Sequence, residues 1–245
     1  HSAAARPRPR TPAAKPKLVV MIAVDQFRYD YLTKFGARFD GGFKRLLTRG
    51  AVFSNAFYEH MPTVTAVGHS ILLSGAMPAA SGIVGNEWFD RAAMQQVTSV
   101  SDSSVRPLGA SVKEGASPHR LLVSTVGDEL KMLGRDKSKV VGVSIKDRSA
   151  ILPAGHMADG AYWFDKPSGN FISSTWYFSD LPAWVKKYNE SRVVDQWKGT
   201  QGYDVMSETK TGNDVVESFA EAAIEGENLG RNGGIDLLAM SFSAN

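Results

Sequence analysis

In "KLVVMIAVD" (residues 17–25) and "KVVGVSI" (139–145) apolar side chains follow one another without alternating, the pattern of strands buried on both faces of a parallel sheet. "AVFSNAFY" (51–58) predicts a further strand, and "GIDLLAMSFS" (234–243) a last one. Between these runs the spacing becomes helical. "FRYDYLTKF" (27–35), "GGFKRLLTRG" (41–50, closed by Gly50), "LLVSTVGDELKMLG" (121–134) and the amphipathic "NDVVESFAEAAIEGENLG" (213–230, capped by Asn213) predict helices. "AYWFDKPSGNFISSTWYF" (161–178) predicts an antiparallel hairpin turning at Pro167–Gly169, with a short helix after it at "LPAWVKKYN" (181–189). Strands alternating with helices imply an α/β fold, a mainly parallel sheet with helices on both faces. The hairpin region, about 161–207, reads as an insertion at the sheet edge, and the domain as 17–245 after a disordered basic tail over 1–16.

Composition changes this picture in three places. The formal charge of +3 suggests an anionic partner, but five of the 28 basic residues (Arg6, Arg8, Arg10, Lys15 and Lys17) precede the first strand. Without them 23 basic side chains face 25 acidic ones, a net of −2, so the basicity belongs to an Ala/Pro/Arg arm and implies no nucleic-acid specificity. The absence of cysteine excludes disulfides, thiolate metal sites and cysteine nucleophiles. No apolar run approaches the roughly 20 residues that span a bilayer, so a membrane partner is not expected. The start on His1 reads as processed or recombinant.

Ligands of parallel α/β sheets collect outside the carboxyl ends of the strands, and polar groups gather there. Asp25 ends the first strand; it either ligates a metal through its carboxylate or caps the following helix. Thr65, before "AVGHSILL", sits at a predicted helix N-cap, where backbone N–H groups and the helix dipole favour an anion or a developing alkoxide; the alternative is a cap and nothing more. Thr63 falls on the extended approach. Asn86 offers amide donors to a phosphate oxygen, or serves a left-handed turn after Gly85. Lys146 and Arg148 point the same way if their stretch stays extended; they either clamp a dianion or are two surface ions. His60, His69, His119 and His156 show no close ligand spacing, and no P-loop, dinucleotide-binding or nucleophile-elbow motif is present.

"IAVDQFRYDYL", "GGFKRLLTRGAVFSNA", "PTVTAVGHS", "SGIVGNEWFD", "SIKDRSAILPAG" and "GNDVVESFAEAAIEGENLG", in that order, resemble the alkaline phosphatase superfamily. The likeness runs from about Lys17 to Asn245 and is nearest to the threonine-nucleophile branch of secreted bacterial phosphate monoesterases, the sphingomonad type. It implies zinc, with Asp25 and Thr65 as ligands of one of two ions, and Thr65 as a nucleophile that forms a phosphothreonine. It further implies Asn86 on a phosphoryl oxygen, Lys146 and Arg148 on the others, small-molecule phosphate monoesters as substrates, a monomer, and a periplasmic or extracellular location. The family pattern continues beyond "LLAMSFSAN" with the remaining zinc ligands, and it is longer around Lys198–Asp204; the 245-residue chain is therefore expected not to hold two zincs or turn over substrate. Diesterases and nucleotide pyrophosphatases of the superfamily share the Asp, Thr and Asn, so Lys146 and Arg148 alone favour a monoesterase. A non-catalytic module on this scaffold is the alternative from another class. The formylglycine context of sulfatases is absent.

Overall fold

A computed structural model describes residues 14–110, 113–134, 137–200 and 202–243. Its strands are β1 (Leu18–Val24), β2 (Glu87–Asp90), β3 (Gln95–Thr98), β4 (Pro107–Leu108), β5 (Val140–Ser144), β6 (Gly160–Asp165), β7 (Asn170–Ser174) and β8 (Asp236–Phe242). Its α-helices are α1 (Asp30–Lys34), α2 (Gly42–Arg49), α3 (Thr65–Ser74), α4 (Pro78–Ser81), α5 (Val126–Gly134), α6 (Asp147–Ala154), α7 (Ala183–Glu190) and α8 (Thr211–Gly226). The main sheet has the order β1-β8-β5-β6-β7-β4. β1, β8, β5 and β6 run parallel, while β7 and β4 turn antiparallel at the far edge. This is the mainly parallel α/β arrangement that the sequence implies, with β2 and β3 as a separate hairpin.

Two apolar layers cover the middle of the sheet. On one face α8 and α7 bury Phe219, Val216 and Val185 against Val141, Val143, Tyr162 and Leu238. On the other, α6 and the start of α3 bury Ile151, Leu152 and Ala66 with Ala161 and Trp163. Gly142 of β5 lets α6 come close: a Cβ there would lie 2.1 Å from the Ala150 carbonyl oxygen. The hairpin turns where expected, yet β6 is no appendage; it pairs with β5 and is buried along its whole length.

Several expectations need correcting. β1 is an edge strand with no fully buried residue, and Val19, Val20, Ile22 and Val24 are exposed. Its continuous apolar run signals two covered faces, but β8 alone flanks it among the described residues. Residues 51–58 form no strand and are exposed throughout, so that apolar run has no pairing partner among the described residues. The helix expected over 121–134 is α5 and starts only at Val126, because Thr125 and Asp128 exchange backbone and side-chain hydrogen bonds, the reciprocal pairing that opens a helix. Asn213 does not cap α8. That helix begins at Thr211, and the Asn213 Oδ1 is buried without a partner. Most of the expected basic tail, residues 1–13, and Gln201 in the segment expected to be short, lie outside the described residues.

Candidate active site

Three elements deliver side chains to one point at the carboxyl edge of the sheet. Asp25 follows β1, and its N–H extends the ladder to the Phe242 carbonyl at 2.9 Å. Gln26 then takes a left-handed backbone, φ 58°, which turns the chain away at once; its N–H donates to Asp25 Oδ1 at 3.1 Å. Such a conformation is uncommon for a residue with a long side chain and marks a place where the surroundings dictate the backbone. Asp25 therefore does not cap the next helix, which starts only at Asp30.

Thr65 is the first residue of α3, after an extended Val64, rather than its N-cap. Its hydroxyl is not spent on the helix. Thr65 Oγ1 donates to Asp25 Oδ2 at 3.0 Å, and Lys146 Nζ approaches the same oxygen at 3.4 Å. Asn86 supplies the missing cap: its Oδ1 accepts the Ala66 N–H at 2.9 Å. That bond fixes the amide, leaving Nδ2 as the outward donor. Asn86 does not use the left-handed turn conformation.

Lys146 leaves β5 extended, but α6 begins at Asp147, so Arg148 lies in a first helical turn rather than on an extended strand. The geometry that was to align the two side chains is thus absent. Both still bear on this corner, since each opposes protonation of His69 beside Thr65. Arg148 Nε is buried without a partner, and the nearest carboxylate, Asp147, is 3.6 Å from its NH1 group. Asp25 and Lys146 are largely shielded from solvent, their side chains 15% and 17% exposed. A cavity of about 420 Å³ opens over Asp25, Thr63, Thr65, His60 and His69, and a second of about 480 Å³ lies beyond Lys146 and Arg148, walled by Trp163.

His69 escaped the sequence reading because a lone histidine four residues into a helix carries no motif. It is buried, and burial holds its pKa below the ordinary imidazole value. Gln26 stands beside Asp25 in the polar group after the first strand, but nothing in the sequence signals its left-handed backbone.

A carboxylate and a hydroxyl suit zinc in kind but not in number. Among the described residues no three His, Cys, Asp or Glu side chains converge, whereas a closed tetrahedral site takes four ligands and an open one three plus water. Asp25 and Thr65 are the two such donors that meet here among the described residues.

Residues 19–244 match the family model described as type I phosphodiesterase / nucleotide pyrophosphatase, and the chain belongs to that family, within the alkaline phosphatase superfamily. It is 42% identical to the alkaline phosphatase PhoV of Synechococcus elongatus, over 94% of this chain and 50% of PhoV. It is 39% identical to a Myroides odoratus protein named calcium-transporting ATPase, with the same shares of the two chains covered. The solved structure of the alkaline phosphatase PafA superposes with a TM-score of 0.89 at 34% identity, covering 96% of this chain and 54% of that one. A solved PafA variant replaces a threonine, an asparagine, a lysine and an arginine. Its threonine and asparagine, and its lysine and arginine, have the spacings of Thr65 and Asn86 and of Lys146 and Arg148. The chain spans about half the length of the relatives it matches. No described helix is long and apolar enough to cross a membrane.

Proposed function

We propose that this chain carries the nucleophile half of a phosphate monoesterase active site, with Thr65 as nucleophile. The observation that carries this reading is the Thr65 hydroxyl, bonded to the Asp25 carboxylate at 3.0 Å with the Lys146 ammonium on the same carboxylate oxygen. Thr65 Oγ attacks phosphorus in line and its proton passes toward Asp25 Oδ2. The bond from phosphorus to the leaving oxygen breaks, the leaving alcohol takes its proton from solvent, and water then hydrolyses the phosphothreonine. The positive end of α3, the Asn86 Nδ2 amide, Lys146 and Arg148 balance the charge on the phosphoryl oxygens. Zinc belongs to this reading: Asp25 and Thr65 would hold it here, and it would supply Lewis-acid polarisation. The enzyme is read as a monomer that acts on small-molecule esters and is exported to the periplasm or beyond.

A diesterase is the second reading, favoured by the description of the matching family. A monoester presents one more charged oxygen than a diester, and a cationic pair rewards it. The test is hydrolysis of p-nitrophenyl phosphate and of its bis-ester by the full-length protein. Thr65→Ala is expected to lose at least about a thousandfold in kcat/KM on the monoester. Lys146→Ala is expected to lose about a hundredfold on the monoester and far less on the diester. Near-normal turnover by Thr65→Ala, or activity untouched by chelation, would sink the reading; a preference for the diester would move it to the second.

A further inference from the structure

We propose that His69 is a positioning residue that fixes the first turn of α3, and with it the Thr65 hydroxyl, against the end of β8. The proposal rests on Thr65 being the nucleophile.

The imidazole is 4% exposed and spans two elements that share no backbone ladder. Its Nδ1 lies 2.8 Å from the carbonyl oxygen of Thr65, and its Nε2 lies 2.8 Å from the Ser241 hydroxyl. A carbonyl only accepts, so Nδ1 carries the proton and donates it. The neutral ring then accepts at Nε2, and Ser241 must be the donor there. With its own proton committed, the Ser241 oxygen accepts from Ser243 at 2.9 Å. Ser144 donates to the Ser241 carbonyl at 3.1 Å. These three serines are completely buried, so the imidazole and the hydroxyls around it satisfy one another without solvent.

The place of Ser241 in the sheet gives the brace its use. It stands opposite Ala23 of β1 on one side and Ser144 of β5 on the other. Two residues further on, β1 delivers Asp25 and β5 delivers Lys146, the two groups that meet the Thr65 hydroxyl. The imidazole thus ties the residue on the helix to the strand lying between those that carry its partners. Asn86 holds the N–H of Ala66, and His69 holds the C=O of Thr65. The first turn of α3 is gripped at both of its polar ends. Positional errors near 1 Å at a nucleophile cost about a hundredfold in rate, so loss of one grip is expected in kcat rather than in binding.

Two substitutions at one site separate the contacts. In His69→Asn the amide nitrogen replaces Nδ1 and keeps the Thr65 carbonyl, while the Ser241 contact is lost. In His69→Gln the amide replaces Nε2 and the Thr65 carbonyl loses its donor. On p-nitrophenyl phosphate the full-length protein is expected to lose about thirtyfold in kcat in His69→Gln, with KM within about threefold, and less than about fivefold in His69→Asn. Ser241→Ala, which leaves α3 intact, is expected to lose about fivefold in kcat and serves if His69→Gln does not fold. Equal losses in the Asn and Gln variants that follow their unfolding midpoints, losses confined to KM, or normal kcat in Ser241→Ala and His69→Gln would overturn the proposal. Thr65→Ala run alongside tells the two readings apart. If it is inactive while His69→Gln turns over normally, the positioning role alone fails; if Thr65→Ala turns over, the nucleophile assignment fails first.

Discussion

β1 and β5 read alike in sequence and fare oppositely in the fold. All five residues of β5 are buried, with helices on both faces, whereas β1 has none buried. The helices that come after the two strands differ in the same way. After β5, α6 buries six of its eight residues; after β1, neither α1 nor α2 buries any. The site straddles this divide. Lys146 and Arg148 stand on a packed wall, while Asp25 stands on an edge strand held by its ladder to β8 and by hydrogen bonds at its carboxylate. An unbroken apolar run thus states what a strand requires of its neighbours, and β1 shows that requirement unmet among the described residues. Leu46, Phe53 and Phe57, in the segment that follows β1, are exposed as well.

The largest effect that would test the contrast is a pair of truncations. Phe219 is fully buried, stacked on Phe171 with ring centroids 3.8 Å apart, so Phe219→Ala is expected to cost about 4 kcal/mol in urea unfolding. Leu46, 62% exposed on α2, should cost within about 0.5 kcal/mol as Leu46→Ala. A loss above about 2 kcal/mol at Leu46 would break the comparison, because that face would then be covered. A smaller effect comes from charge on the edge. Ile22→Lys, at a position 52% exposed, is expected to leave the unfolding midpoint nearly unchanged while lowering binding of a hydrophobic dye. A cooperative loss of structure would mean that β1 is buried on both sides.

Much of the candidate site's placement was legible because it is set locally. Asp25 at a strand end, Thr65 at a helix start and Lys146 after a buried strand are set by period and position. What sequence hid is tertiary. The cap of α3 comes from Asn86, twenty residues past the Ala66 whose N–H it accepts. Arg148 lies in a helix because Asp147 starts one, where the strand pattern suggested continued extension. Gln26 has a left-handed backbone that propensity argues against. The fold class was legible from alternating strands and helices. The failed strand at 51–58 and the exposed β1 were not, since an apolar run says nothing about whether its partner is at hand.

The smallest effect sharpens the same divide through pH. In the packed half, His156 Nε2 lies 2.8 Å from the Leu121 carbonyl and Nδ1 lies 3.5 Å from Asp128 Oδ2. Both neighbours accept, so only a doubly protonated ring satisfies both. The bond to Asp128 lifts the His156 pKa above its ordinary value, with burial opposing and the Asp128 charge and the Leu121 carbonyl assisting. Burial likewise works against the Asp128 carboxylate, but hydrogen bonds from His156, Met157 and Thr125 outweigh it and keep that pKa low. Because the folded His156 pKa lies above the unfolded one, its contribution is complete below about pH 6.5 and fades as pH rises through the folded value. The Asp128 contribution runs the other way and is lost only in acid, outside this window. His156→Gln retains a donor for Leu121 and removes the charge. It is therefore expected to cost under about 1 kcal/mol at pH 6, shrinking toward pH 9, when urea midpoints are compared at the two values. In the exposed half, Asp30 pairs with Lys34 at 2.6 Å and Arg28 at 3.1 Å, yet Asp30→Asn is expected to leave the same profile unmoved because water screens the pair. Parallel profiles for wild type and His156→Gln from pH 6 to pH 9 would mean that the folded ring is neutral and that burial alone does not separate the two halves electrostatically.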